Sequence, residues 1–218
     1  MAPFDEIEGV TKFTPHHTPG PLSPEASALA PGLIACRQRM YARGLVGLDP
    51  ARYGGVGYGN LSCRLPGGGF LVTGTGTGGL DTLGPEHLCE IIDFDLESNS
   101  VTSTGPVAPS SESMTHGALY EAAPEASAII HIHGPLLWAH SDHLEVMVTA
   151  PGVAYGTPQM GREVERLLDA GFAQPLIKMT GHEHGFLAFG PTFVAAQRVL
   201  EQADIQATKI ADAHHGAP

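Results

Sequence analysis

The chain has 218 residues, of which 42% are hydrophobic, and a mean hydropathy of +0.01, values typical of one globular domain with one core. Twenty-three acidic and eleven basic side chains give a net charge of −12, which argues against nucleic acid and anionic membrane surfaces as partners. No apolar run reaches the roughly 20 residues that cross a bilayer, and the three cysteines form no CxxC pair. We therefore expect a cytoplasmic protein without a disulfide framework.

The first predicted segment is a loose arm at residues 1–22, rich in proline, threonine and histidine, with at most a short strand in "GVTKF". Residues 23–218 are predicted to form one domain. Its first helix begins at Ser23, is kinked or divided at Pro31, and ends at Gly44.

The middle of the chain is predicted to contain strands between glycine-rich loops. "LSCRL" at 61–65 and "FLVTG" at 70–74 form an antiparallel pair, "GPEHLCEII" at 84–92 a short helix, and "DFDLESNSVTS" at 93–103 a hairpin. The second half alternates helices and strands, in the order helix 112–123, strand 127–133, strand 145–149, helix 157–170, strands 175–180 and 185–190, and helix 191–214. This order predicts an α/β or α+β fold in which helices cover one sheet.

Two histidines end the apolar strand "SAIIHIH". His131 and His133 are two residues apart, so their side chains project from the same face, with about 6 to 7 Å between them along the backbone. Taken alone, such a pair is more often a hydrogen-bonded core or surface pair than a metal site. A catalytic metal needs a third protein ligand, and "GHEHG" offers His182 and His184 as candidates.

A second group of polar residues precedes a predicted helix. Ser110, Ser111 and Glu112 combine hydroxyls, a carboxylate and unpaired backbone amides, which suits an anion, although such residues considered alone are more often a plain helix cap. The loops "GTGTGG" and "GNLS" could approach a phosphate through their backbone, but each is an ordinary loop by itself.

The order of these pieces resembles the class II aldolase/adducin family. The resemblance covers about residues 33–201 and rests on six motifs: "GNLS" at 59–62, "TGTG" at 73–76, "PSSE" followed by His116, "HIH" at 131–133, "YGTP" at 155–158, and "HG" at 184–185 followed by four residues and Gly190. Each motif is weak alone, whereas six in the family's order identify the chain as a member.

The resemblance implies a three-layer α/β fold, a central mainly antiparallel sheet flanked by helices, and a homotetramer with active sites at subunit interfaces. It implies metal ligation by His131, His133 and His184, with His182 as a spare or supporting residue, and an acid/base role for Glu112. It also implies that the substrate phosphate contacts Asn60, Thr75, Gly76, Ser110 and Ser111.

The implied activity is that of a metal-dependent aldolase acting on a sugar phosphate or related keto compound through a metal-stabilised enediolate. Zn²⁺ is the expected cofactor, with Mn²⁺ or Co²⁺ as alternatives. An epimerase, a dehydratase, a decarboxylase of the same family, or a non-catalytic adducin-like scaffold remain the other interpretations. Glutamate at position 112 favours aldolase-like chemistry, because the family's epimerase carries aspartate there.

Overall fold

The computed structural model describes residues 8–171 and 174–215, and a mixed sheet lies at its centre. Within these residues the sheet has nine strands. Their order from edge to edge is β1 (Thr14–Pro19), β7 (Ser100–Gly105), β6 (Leu88–Asp95), β5 (Phe70–Thr73), β4 (Asn60–Arg64), β8 (Ala128–His133), β11 (Gly185–Gly190), β10 (Leu176–Lys178) and β9 (Met147–Val148). Two further short strands, β2 (Gly47–Leu48) and β3 (Gly57–Tyr58), pair separately.

The sheet is antiparallel at every interior step. The two outermost steps, β1 on β7 and β9 on β10, are parallel. The predicted antiparallel pair β4–β5 and the hairpin β6–β7 are both present. The expectation of a central, mainly antiparallel sheet is therefore confirmed.

Helices cover both faces of the sheet and give the fold three layers. Apolar residues of α2 (Ser113–Ala122) and α4 (Pro158–Asp169) pack on one face, together with Ile129 of β8. Those of α1 (Pro24–Ala42), α3 (Pro135–His140) and α5 (Phe193–His215) pack on the other, together with Ile130 and Ile132. Since side chains alternate along a strand, Ile129, His131 and His133 all face the α2 and α4 layer.

Of the two alternatives predicted for the first helix, the single helix is present and the division is not: α1 continues through Pro31, because buried Ala30 and Leu33 on either side of this proline pack into the same core. A different local prediction was wrong. Residues 84–92 were expected to be helical, but only Pro85–His87 form a 3₁₀ turn and the rest starts β6. The hydrophobic run that starts β6 lies between β5 and β7 and is buried on both faces of the sheet. Periodicity alone does not distinguish such a buried strand from a helix.

The described part of the arm, residues 8–22, is more ordered than the sequence indicates. Its strand lies at Thr14–Pro19 rather than in "GVTKF", and it pairs with β7 through backbone hydrogen bonds that need no apolar side-chain pattern. Over the described residues, no helix combines the length and apolar character required to cross a membrane.

Candidate metal centre

Strand β8 places His131 and His133 in the interior, where both are fully buried. His131 Nδ1 lies 3.0 Å from the carbonyl oxygen of Phe186, and since a carbonyl only accepts hydrogen bonds, Nδ1 is the protonated nitrogen. In the neutral ring, Nε2 therefore carries a lone pair directed away from β11. That nitrogen is available to a metal.

Glu112 approaches the same nitrogen from the start of α2. Its Oε1 is 2.8 Å from His131 Nε2. Two acceptors at this distance repel each other unless a proton or a cation lies between them. Burial alone would raise the pKa of Glu112, but the neighbouring His131 and His182 lower it to about 2, so its carboxylate is ionised at neutral pH.

The helix cap differs from the predicted one. Neither serine caps α2, because the helix starts at Ser113 and the residue at its cap is Glu112, whose side chain makes no capping hydrogen bond. Ser110 Oγ instead accepts a hydrogen bond from the Glu112 backbone at 3.3 Å. The Glu112 side chain is thereby left to face the histidines.

The third histidine of the cluster comes from the "GHEHG" turn between β10 and β11. Ligand atoms of His131, His133 and His182 all lie within 4.8 Å of one another. The structure does not bring His184 into this group. Its backbone has a φ of +62°, and its Nδ1 lies 2.8 Å from the hydroxyl of Tyr53, which also has a positive φ, of +52°.

Gly185, which follows His184, gives the turn its close packing. A Cβ at this position would lie 3.1 Å from His182 Cγ and 3.3 Å from His131 Cε1. The glycine of the "HG" motif thus leaves room for both imidazole rings.

A second carboxylate in the cluster belongs to the arm and was not predicted. Glu8 Oε2 is 2.8 Å from His182 Nε2 and 3.7 Å from His133 Nε2. Glu8, Glu112 and His182 also form a group whose ligand atoms lie within 4.8 Å of one another. No local pattern marks Glu8, because a single glutamate in a polar arm is an ordinary solvated residue.

The donor atoms fit a divalent cation. Within the described part of the chain, both carboxylate oxygens of Glu112, Nε2 of His131 and both ring nitrogens of His133 are buried without a hydrogen-bond partner. Burying such atoms without a partner is costly, and a metal ion satisfies them together. Imidazole nitrogen with carboxylate oxygen is a donor set that suits zinc and its first-row neighbours. Burial also lowers the pKa of His133, which keeps its ring in the neutral form that binds metal.

The residues predicted to hold a phosphate meet beside this cluster. All of them line a single cavity of about 20 Å³, to which Glu8 and Gly9 also contribute. The predicted residues are Asn60, Thr75, Gly76, Ser110 and Ser111. Another cavity, of about 420 Å³, lies against α5 and contains none of the predicted site residues, so its size carries no functional weight here.

A buried hydrogen-bond chain supports α2 from behind the cluster. Ser62 Oγ lies 2.7 Å from His116 Nδ1 and 2.9 Å from the Tyr120 hydroxyl. Burial lowers the pKa of His116 to about 3, so this imidazole is neutral. These hydrogen bonds connect β4 to α2, the helix that begins after Glu112.

Comparison with known proteins matches most of the chain to one family. The model of the class II aldolase and adducin N-terminal domain matches residues 33–208. The structure of L-fuculose-1-phosphate aldolase from Thermus thermophilus has a TM-score of 0.62 at 21% identity, covering 87% of this chain and 97% of that one. YgbL from Klebsiella pneumoniae, described as an aldolase, epimerase or decarboxylase, has a TM-score of 0.66 at 22% identity over 87% and 91% of the two chains. At such identities the similarity shows the fold alone.

One curated relative has higher identity over a shorter stretch. It is the 3-oxo-tetronate 4-phosphate decarboxylase of Haemophilus influenzae, 41% identical over 85 residues. The match spans 39% of this chain and 37% of that protein.

Proposed function

Because the chain belongs to the class II aldolase and adducin family, we propose that it is a divalent-metal-dependent carbon–carbon lyase acting on a phosphorylated sugar or related keto compound. The observation that carries the proposal is the 2.8 Å contact between Glu112 and His131 inside a buried histidine cluster. A non-catalytic scaffold has no use for this arrangement, since buried polar atoms without partners destabilise the fold.

The histidines and Glu112 are proposed to have different roles, metal binding and proton transfer. We propose that His131, His133 and His182 hold the cation, with Zn²⁺ as the first candidate and Mn²⁺ or Co²⁺ as alternatives. When bound, the cation would supply Lewis-acid stabilisation of the negative charge of an enediolate, worth several kcal/mol. Glu112 remains ionised beside the cluster and would accept and return the proton.

The neighbouring cavity supports a phosphorylated substrate. Asn60, Thr75, Ser110 and Ser111 offer amide and hydroxyl donors, while Gly76, with a φ of +71°, lets the backbone approach a ligand without a side chain. Such a lining can bind an anion without a lysine or arginine.

Aldol cleavage is the reaction we propose first, since it uses one carboxylate as both base and acid. Decarboxylation of a phosphorylated β-keto acid is the second candidate, and the similarity to the Haemophilus influenzae decarboxylase favours it. Both reactions break a carbon–carbon bond and leave negative charge on an enolate, which is an enediolate where the carbon that keeps the electron pair carries a hydroxyl.

The family resemblance further supports a cytoplasmic homotetramer with active sites at subunit interfaces. Light scattering coupled to size-exclusion chromatography checks the assembly, and the proposal expects about four times the 22.8 kDa mass of one chain.

The proposed function is tested by loading the purified protein with Zn²⁺, Mn²⁺ or Co²⁺ and supplying ketose phosphates and phosphorylated β-keto acids. Release of an aldehyde with dihydroxyacetone phosphate indicates aldol cleavage, and release of carbon dioxide indicates decarboxylation. The His131→Ala variant should lose both metal and turnover. Turnover that persists in the metal-free protein would overturn the proposal.

A further inference from the structure

The proposed chemistry leaves the second carboxylate of the cluster unexplained. Glu8 Oε2 approaches two of the three histidines, at 2.8 Å from His182 Nε2 and 3.7 Å from His133 Nε2, and its side chain is only 9% exposed. A carboxylate so far from solvent is retained only if a cation or strong donors compensate its charge.

The arm that carries Glu8 is held by specific contacts. The Tyr155 hydroxyl accepts a hydrogen bond from the Val10 backbone N–H at 2.9 Å and lies 3.3 Å from the Val10 carbonyl oxygen. The Lys12 ammonium lies 3.5 Å from the centre of the Tyr155 ring, and the same ring lies 4.4 Å from that of His182, centre to centre. Tyr155, the first residue of the "YGTP" motif, thus fixes the arm against the cluster.

The arm also occupies part of the neighbouring cavity, which is lined by the residues proposed to bind the substrate phosphate. Glu8 and Gly9 form one of its walls, and the space left, about 20 Å³, is close to that of one water molecule. A phosphate group needs more room than this. The negative charge of Glu8 would also repel a phosphate at short range, where few water molecules screen it.

We propose that Glu8 is a metal ligand supplied by the amino-terminal arm, and that its carboxylate and an anionic substrate exclude each other from the site. This inference rests on the proposed metal site. It assigns opposite effects to one side chain, because Glu8 strengthens metal binding and weakens anion binding.

The test is the Glu8→Gln variant, which keeps the size and hydrogen-bonding ability of the side chain but removes its charge. Competition with a chromophoric chelator should show that Zn²⁺ binds roughly 10-fold more weakly. The absorption spectrum of the Co²⁺-loaded protein should change, since a ligand is lost. Titration calorimetry should show that inorganic phosphate binds roughly 10-fold more tightly to this variant. This factor is expected if, in the unchanged protein, the arm occupies the cavity about nine-tenths of the time.

Two further variants serve as control and second test. Glu125→Gln removes an exposed carboxylate outside the site and should leave all three measurements unchanged. Tyr155→Phe keeps Glu8 but removes the hydroxyl that holds Val10, so it should tighten phosphate binding by a smaller factor. If Glu8→Gln fails to fold, Tyr155→Phe carries the test alone, and phosphate binding unchanged in it overturns the proposal.

The outcomes separate this inference from the function on which it rests. If His131→Ala abolishes Zn²⁺ binding while Glu8→Gln leaves the Co²⁺ spectrum and phosphate affinity unchanged, Glu8 is only a hydrogen-bond partner of His182 and the inference fails. If His131→Ala also leaves Zn²⁺ binding unchanged, the proposed metal site itself is wrong.

Discussion

Glu8 Oε2 lies 2.8 Å from His182 Nε2, although 174 positions separate the two residues in the sequence. On the other side of the same ring, His182 Nδ1 lies 3.7 Å from Glu112 Oε1. The imidazole of His182 therefore lies between two carboxylates, one from the arm and one from the start of α2. This position makes His182 the histidine of the "GHEHG" turn on which metal binding should depend.

The first prediction compares the two histidines of that turn. His182→Ala should weaken Zn²⁺ binding by at least about 100-fold, more than typical losses of residues that only support a ligand. His184→Ala should change it little, because the His184 ring contacts the Tyr53 hydroxyl and His184 is not in the group whose ligand atoms lie within 4.8 Å of one another. Metal content after dialysis checks both variants. The reverse ranking would make His184 the third ligand, as the sequence motif implied.

The second prediction concerns Glu112 as the proton carrier. Glu112→Gln should keep the fold and the bound metal, while turnover falls by roughly 10² to 10⁴, because the amide cannot accept the proton. Circular dichroism and metal analysis accompany the rate measurement. Unchanged turnover would remove Glu112 from the mechanism, and loss of metal would make it a ligand instead.

The third prediction concerns the neighbouring cavity. Inorganic phosphate or sulfate should compete with substrate and raise the melting temperature by mass action. Ser111→Ala, which removes one hydroxyl of the lining, should reduce both effects. Equal turnover of a phosphorylated substrate and its unphosphorylated analogue would contradict this assignment.

A fourth prediction follows from the buried His116. Its folded-state pKa of about 3 lies below the value near 6.5 of an unfolded histidine, so below about pH 6.5 the unfolded chain binds a proton that the folded chain does not. This contribution to stability is complete above pH 6.5 and is lost as the pH falls toward 3. The His116→Gln variant, whose amide can still reach Ser62, should show a pH slope of the unfolding free energy smaller by up to roughly 1.4 kcal/mol per pH unit.

Urea unfolding of the metal-free proteins between pH 4 and about 7 measures this slope. The comparison uses the slopes rather than the absolute stabilities, because His116→Gln also alters packing in the core. Parallel slopes in the two proteins would show that His116 is not the group that titrates.

The fifth prediction tests the close packing at Gly185. Gly185→Ala would bring a methyl group to 3.1 Å from His182 Cγ, which should displace a ring and weaken Zn²⁺ binding by roughly 10-fold or more. The matched control is Gly67→Ala, where nothing lies within 4 Å of the added Cβ. Similar metal affinity in both variants would mean that the turn adjusts without cost.

Much of the fold could be predicted because its signals are local. The apolar, β-branched run "SAIIHIH" predicted β8, and the two-residue spacing of its histidines placed both on one face. Thr157 with Pro158 predicted the start of α4. Residues 84–92 were misassigned because an apolar run buried on both faces of a sheet lacks the alternation of an exposed strand.

The site was harder to predict because distant contacts complete it. Whether His182 or His184 enters the cluster depends on the φ of +62° at His184, and the residue letters of a five-residue turn do not determine that angle. Glu8 carried no signal, since its role comes from the pairing of β1 with β7 and from the contact between Val10 and Tyr155. Neither contact leaves a pattern near Glu8 in the sequence.

The parallel pairing of β1 with β7 determines how far the arm can move. While Thr14–Pro19 stay paired and Phe13 stays in the core, residues 9–12 are the longest tether that a released Glu8 can have. A displaced carboxylate therefore remains near the cluster at an effective concentration that is roughly millimolar for a short flexible linker. An incoming anion therefore competes with the tethered Glu8 carboxylate of the same protein molecule. The return of Glu8 after product release is a unimolecular step, so its rate does not depend on protein concentration.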